Sequence, residues 1–155
     1  LEIGVGSGGT MALWSRLAHH SAHLIGIDPG INPEAERRIR AAMSATQTLH
    51  LIRCDSHSDS AAQELASILV GNHLDFLFID GDHRYQAVKA DFASYAPLVR
   101  QGGLIALHDI VPGEEKYVGG VPDFWTEVKE ALSAREFVES WTQGGYGIGL
   151  LEKDF

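Results

Sequence analysis

The chain opens on LEIGVGSGGTMALWSRLAHH, Leu1–His20. Leu1–Ile3 reads as the end of a buried strand, Gly4–Gly9 as a glycine-rich turn and Thr10–His20 as a helix. A strand that turns straight into a helix is the first half of a parallel crossover, because neighbouring parallel strands need a connection of helical length. Gly4, Gly6 and Gly9 stand in G-x-G-x-x-G spacing. Glycine lets the turn tighten and lets backbone N–H groups come close to a ligand.

The same alternation runs outward from this unit. His23–Ile27 is a short apolar strand closed by Asp28-Pro29-Gly30, and Pro33–Ser44 has helical composition. Thr48–Arg53 is a strand ending at Cys54-Asp55-Ser56. Ser60–Val70 follows as a helix, with Leu65, Ile68 and Leu69 at helical spacing. Leu74–Ile79 is a strand, and Tyr85–Val99 a helix with Val88, Phe92 and Tyr95 at i, i+4, i+7. Gly103–Leu107 is a strand reaching His108-Asp109, followed by a Gly- and Pro-containing loop over Ile110–Val121. Pro122–Ala134 reads as a helix with proline in its tolerated first turn. Glu136–Trp141 and Tyr146–Leu151 are strands joined through Gly144-Gly145, a hairpin signal. The pattern predicts an α/β fold, a doubly wound and mostly parallel sheet with an antiparallel strand near the C-terminus.

Composition narrows the function. A length of 155 residues makes one domain the default, with 45% hydrophobic and 21% charged residues. The formal net charge is −9 and there is no run of Lys or Arg. That argues against a nucleic-acid backbone as partner, since phosphate binding needs a basic face. A small ligand held by backbone groups stays open. Cys54 is the single cysteine, so no internal disulfide can form, and a reducing, cytoplasmic setting is expected. No apolar run reaches membrane-spanning length. The chain begins at Leu1 inside a strand, so upstream residues are expected to be missing, and any function of an N-terminal helix would be invisible. Oligomeric state is left open, with a homo-oligomer allowed.

In such sheets, ligands bind beyond the carboxyl ends of the strands. Each strand end here carries a carboxylate: Glu2 before the glycines, then Asp28, Asp55-Ser56, Asp80 to His83, and His108-Asp109. Asp28 lies at the distance from the glycines where a carboxylate can accept hydrogen bonds from ribose hydroxyls. That spacing fits a dinucleotide site and an S-adenosylmethionine site equally, and also a plain strand–helix turn. Glu2 is an awkward residue for a buried strand. It becomes reasonable if it receives an ammonium group or backbone N–H groups near the amino-acid end of a cofactor. Asp55-Ser56 suits an adenine amino group. It equally suits helix-capping chemistry beside Ser58 and Asp59.

With these residues in view, the sequence resembles class I S-adenosylmethionine-dependent methyltransferases. LEIGVGSGGT resembles their first motif, IGIDPG the ribose-binding strand end and IRCDS the adenine-side strand end. FLFIDGDHRYQAVKADFASYAPLVRQGGLIALHDI is similar to the bacterial methyltransferase domain 24 family, related to cephalosporin-hydroxylase-like proteins and small-molecule O-methyltransferases. GVPDFWTEVK and GGYGIGLLEK extend the likeness over nearly the whole chain. The resemblance implies a Rossmann-like sheet of seven strands whose last strand is antiparallel. It implies a cofactor site at Glu2, Gly4, Gly6, Ser7, Asp28, Asp55, Ser56 and Asp80.

It also bears on Asp80, His108 and Asp109. In this family the strands they close are neighbours, about 4.8 Å apart, so the side chains can converge. In metal-dependent O-methyltransferases the matching positions carry Asp, then Asp-Asn, and bind Mg²⁺ or Ca²⁺. Here Asp80 matches the first, His108 replaces the second Asp, and Asp109 replaces Asn. Imidazole shifts the preference away from Mg²⁺ toward Mn²⁺, Fe²⁺ or Zn²⁺. A hydrogen-bonded polar cluster without metal is the other expectation.

His83 and His108 are candidate general bases, since transfer of a methyl group to oxygen requires loss of the hydroxyl proton. His83 can instead be a turn residue under Tyr85, and Asp82 can cap the helix that follows. His19, His20, His23, His50, His57 and His73 show no comparable grouping and read as surface or helix-end residues. The loop Ile110–Val121, with Glu114, Glu115, Lys116 and Tyr117, lies where an acceptor could bind, and it could move as a lid. The leading expectation is O-methylation of a small hydroxylated acceptor. The alternatives are a nicotinamide-dependent oxidoreductase on the same topology and a non-catalytic cofactor-binding module.

Overall fold

The computed structural model describes residues 1–130 and 132–154. The chain divides into two compact units, Leu1–Gly71 and Asn72–Phe155.

The first unit contains β1 (Glu2–Ile3), α1 (Gly9–Leu17), β2 (His23–Ile27), α2 (Pro33–Ala42), β3 (Thr48–Ile52) and α3 (Asp59–Leu69). Its strands run in the order β3-β2-β1, all parallel. Local chemistry starts the helices. Asn32 accepts hydrogen bonds from the Glu34 and Ala35 backbone N–H groups at 3.0 and 2.9 Å, and Pro33 follows at the first helical position. Ser58 caps α3 by accepting from Ala61 N at 3.2 Å. The β2–β3 register sets Leu24 beside Leu49 and Gly26 beside Leu51. Alternation therefore turns these positions to one face, where Leu24 packs with Val5, Met11, Ile31, Ala35 and Ile39, and Leu49 and Leu51 close the margin. Burying each large member contributes about 1.5–3 kcal/mol.

The same register brings together two histidines that the sequence reading left ungrouped. His50 lies opposite Ile25, two residues from His23 and hence on the same face. The His23 Nδ1 and His50 Nε2 atoms are 3.2 Å apart in nearly parallel rings. Partial burial and the neighbouring His23 hold the His50 pKa below the ordinary imidazole value.

The second unit contains β4 (Leu74–Ile79), α4 (Tyr85–Tyr95), β5 (Val99–His108), α5 (Glu115–Val118), α6 (Val121–Lys129), β6 (Ala134–Phe137) and β7 (Ile148–Glu152). The order is β4-β5-β7-β6, with β4 and β5 parallel and β7 antiparallel to both its neighbours. The seven strands and the antiparallel C-terminal strand are those expected from the sequence. Several boundaries differ. The α6 helix, expected over Pro122–Ala134, ends at Lys129, and α5 lies within the expected loop. The β6 strand spans Ala134–Phe137 where Glu136–Trp141 was expected, and β7 spans Ile148–Glu152 where Tyr146–Leu151 was expected. The helix expected to Val99 stops at Tyr95, and Ala96–Leu98 forms a 3₁₀ turn around Pro97, which has no N–H to continue the α pattern. The strand expected from Gly103 starts at Val99, which pairs with Leu74 of β4, and Lys153 supplies partners on the other side at Gly102 and Gly103. Gly102 N donates to Lys153 O at 2.8 Å, and Lys153 N donates to Gly103 O at 2.9 Å.

The core of this unit is Leu77, Phe78, Ile79, Ile105, Leu107, Phe124, Trp125 and Leu151. Trp125 is buried to 1%, and its indole N–H donates to Glu136 at 2.7 Å, so its polar atom is satisfied. Lys153 is also buried. Its ammonium donates to the Pro97 and Val99 carbonyls at 2.8 and 2.7 Å, fastening the 3₁₀ turn to the end of β7. Among the described residues, no helix is long and apolar enough to cross a membrane.

Candidate active site

In the first unit the glycine turn and the end of β2 are joined by one carboxylate. Asp28 accepts from Gly6 N at 2.8 Å and from Gly30 N at 2.5 Å. A carboxylate has about four acceptor positions, so capacity remains for ligand hydroxyls. Gly6 has φ +50°, a conformation that glycine adopts at little cost. A Cβ placed there would meet nothing within 4 Å, so the backbone borders open space. Gly4 also has positive φ. Glu2 is buried to 1% in β1, as its strand position required. Ser7 contributes its carbonyl to Arg38 Nη1 at 2.7 Å. Asp55 accepts from His57 N at 2.9 Å and lies 3.2 Å from the His57 ring. The capping role beside it belongs to Ser58, so the Asp55 carboxylate, 69% exposed, is not consumed as a cap. Ser56 lies on the turn between them.

In the second unit, the ends of β4 and β5 bring four titratable groups into a closed ring. His108 Nδ1 is 3.1 Å from Asp80 Oδ1 and 3.5 Å from Asp109 Oδ1. His83 Nε2 is 3.4 Å from Asp80 Oδ1, and His83 Nδ1 is 3.5 Å from Asp109 Oδ2. Carboxylate and imidazole therefore alternate around Asp80, His83, Asp109 and His108. Asp82 is not part of it. Its carboxylate accepts from Arg84 N at 2.9 Å and pairs with the Arg84 guanidinium.

Two backbone segments hold the ring in place. His83 Nδ1 donates to the Tyr117 carbonyl, and Gly120 N donates to the His83 carbonyl at 2.8 Å. Gly119, with φ +53°, makes that approach, and a Cβ there would collide with the His83 carbonyl. On the other side Tyr146 N donates to Asp109 Oδ1 at 2.7 Å, and Val111 N donates to the Tyr146 carbonyl at 3.0 Å. Asp109 and Tyr146 both have left-handed backbones, at φ +59° and +61°. Such a conformation costs roughly 1–2 kcal/mol outside glycine and less for Asp, and it persists where the surroundings over-determine it. The sequence reading did not single out Tyr146. The available signal was its place among Gly144, Gly145 and Gly147, a run suited to unusual backbone geometry.

The ring sets its own protonation. The nearby carboxylates of Asp109 and then Asp80 raise the His108 pKa to about 10, against the opposing effect of burial. His83 is also raised, chiefly by Asp80. Burial pushes Asp80 and Asp109 upward, but the imidazoles outweigh it and hold both carboxyls below their ordinary value. His108 was expected to be a base of near-neutral pKa. Between two carboxylates it instead keeps its proton through the neutral range. The four groups titrate as one coupled set.

The donor set also bears on a metal. Divalent ions require imidazole nitrogens without protons. Here His83 Nδ1 donates to a carbonyl, and His108 Nδ1 lies 3.1 and 3.5 Å from two carboxylates. Among the described residues, no group of three or more His, Cys, Asp or Glu side chains is disposed to hold an ion. As placed, these four side chains do not form a ligand set for a divalent metal.

The family model described as Methyltransferase domain, of the methyltransferase 24 group, matches residues 1–110. The chain belongs to this methyltransferase-domain family. An uncharacterized protein R132 of Acanthamoeba polyphaga mimivirus is 33% identical over 114 residues, covering 70% of this chain and 50% of that protein. The chain thus spans about half the length of that curated relative. The O-methyltransferase TomG of Streptomyces achromogenes, solved with SAM, is similar with a TM-score of 0.68 and 19% identity, over 98% of this chain and 71% of that one. An O-methyltransferase of Bacillus cereus, solved with SAH, is similar with a TM-score of 0.68 and 18% identity, over 98% and 72%. These likenesses establish the Rossmann-like methyltransferase fold.

Proposed function

We propose that this protein is an S-adenosylmethionine-dependent methyltransferase that methylates a hydroxyl oxygen of a small molecule. The observation that carries the reading is the alternating Asp80–His83–Asp109–His108 ring at the ends of β4 and β5. An oxygen nucleophile must lose a proton, and this is a proton-holding set. Family membership favours methyl transfer over the nicotinamide-dependent alternative.

Glu2, Gly4, Gly6, Ser7, Asp28, Asp55, Ser56 and Asp80 are assigned to the cofactor. The fit rests on the open space at Gly6 and the spare acceptor capacity of Asp28. Bound there, S-adenosylmethionine would supply an electrophilic sulfonium methyl carbon and, having given up the methyl group to the acceptor oxygen, would leave as a thioether. The acceptor's proton passes to the ring. Because Asp80 and Asp109 raise the imidazoles, the ring accepts that proton only after losing one of its own. The rate therefore rises with pH along a limb above the ordinary imidazole value of 6.5. No step passes through a metal.

Titration calorimetry with S-adenosylhomocysteine and with NAD tests the reading. Binding of the first and not the second is expected. Binding of NAD alone would overturn it in favour of an oxidoreductase.

A further inference from the structure

Two exposed aromatic side chains are attached to the ring through their own backbones. Tyr117 gives its carbonyl to His83, yet the residue is 61% exposed. Tyr146 gives its N–H to Asp109 and is 69% exposed. The Tyr146 ring meets His108 edge-on, with centroids 6.4 Å apart, so one edge is occupied and most of its surface stays open. A bulky aromatic residue in a left-handed backbone is an expensive arrangement, and Gly144, Gly145 and Gly147 beside it take positive φ as glycine readily does. A loop needing only that backbone shape would be served better by glycine at position 146 as well. The side chain is therefore what the position retains.

We infer that Tyr146 is the platform on which the acceptor stacks, and that the acceptor is a phenol rather than a saturated alcohol. This rests on the methyltransferase reading above. Two independent arguments point to the same class. A planar ring gains offset stacking on an open tyrosine, beyond what its apolar area contributes. A phenolic hydroxyl also ionises near the pKa of tyrosine, about 10, within reach of an imidazole–carboxylate set. A saturated alcohol is far more weakly acidic, so the same set activates it less effectively. Tyr146 N holds Asp109, and its side chain stands beside His108, so a ring stacked there presents its hydroxyl to the proton-accepting groups.

The probe is catechol, with cyclohexane-1,2-diol as its saturated counterpart, titrated into the full chain saturated with S-adenosylhomocysteine. Catechol is expected to bind and the diol not. Tyr146→Phe and Tyr146→Trp should keep the affinity, while Tyr146→Leu and Tyr146→Gly should weaken it by about tenfold. Tyr146→Gly should at the same time raise the melting temperature, because it removes the left-handed penalty. A purely structural tyrosine would show the reverse, with lower melting temperature and unchanged catechol affinity. Equal binding of diol and catechol, or equal binding by wild type and Tyr146→Gly, overturns the proposal. Wild-type protein that binds S-adenosylhomocysteine but not catechol also overturns it while leaving the methyltransferase reading intact. Failure to bind S-adenosylhomocysteine overturns that reading instead.

Discussion

The glycine turn of the first unit and the acidic–imidazole ring of the second solve different chemical problems with different materials. Around Gly4, Gly6 and Asp28, one carboxylate organises backbone N–H groups beside open space. Around Asp80, His83, His108 and Asp109, the working parts are side chains that set one another's protonation, and the backbone serves to hold them. A backbone-built site is specified by short-range spacing and changes little with pH. A side-chain ring is specified by topology, and its state is a function of pH.

The contrast can be broken most sharply at the ring. His83→Ala removes a proton acceptor and leaves Asp80 and Asp109 without one of their two compensating partners. Methyl transfer should fall by about 10²–10⁴ in kcat, with S-adenosylhomocysteine affinity little changed, as measured by steady-state kinetics beside calorimetry. Equal loss of cofactor affinity would erase the distinction between the two regions. Asp28→Ala should do the opposite. It removes the acceptor for Gly6 N and Gly30 N and should weaken cofactor binding by about 1–3 kcal/mol. An unchanged dissociation constant would remove Asp28 from the site.

Stability against pH separates the regions without any substrate. The folded His83 and His108 pKa values lie above the ordinary 6.5, so their contribution is complete below 6.5 and is lost as pH rises toward about 10. The folded Asp80 and Asp109 values lie below the ordinary 3.8, so their contribution is present above 3.8 and lost as pH falls through the depressed values. Thermal melts should show the wild type losing stability between pH 6.5 and 10, with His108→Gln flattening that decline. A decline that survives the substitution would assign it elsewhere. The smallest effect expected is that of a chelator. EDTA should leave the rate unchanged, and loss of activity restored by Mn²⁺ would show that the ring opens to take an ion.

The glycine spacing, Asp28 and the strand-end carboxylates were legible because each lies within one contiguous strand–turn–helix segment. The short apolar runs closed by Asp28 and Asp80 likewise placed β2 and β4 at their observed bounds, His23–Ile27 and Leu74–Ile79. Where a partner decides the outcome, the local pattern fell short. The sequence began β5 only at Gly103, but the pairing of Leu74 with Val99 and the Gly102 N–Lys153 O hydrogen bond extend it back to Val99. His23 and His50 read as isolated until the β2–β3 register placed them side by side.

The sequence alone determined that Asp80, His108 and Asp109 stand at strand ends, which are a matter of local pattern; that the two strands are neighbours followed from the family resemblance and is seen in the β4–β5 pairing. It did not determine that His83 turns back to complete the ring, because that orientation depends on the Tyr117 carbonyl and the approach of Gly119 and Gly120. Nor did it determine the protonation of His108. An imidazole's pKa reflects the charges within a few ångströms, and only the tertiary structure sets two carboxylates beside it.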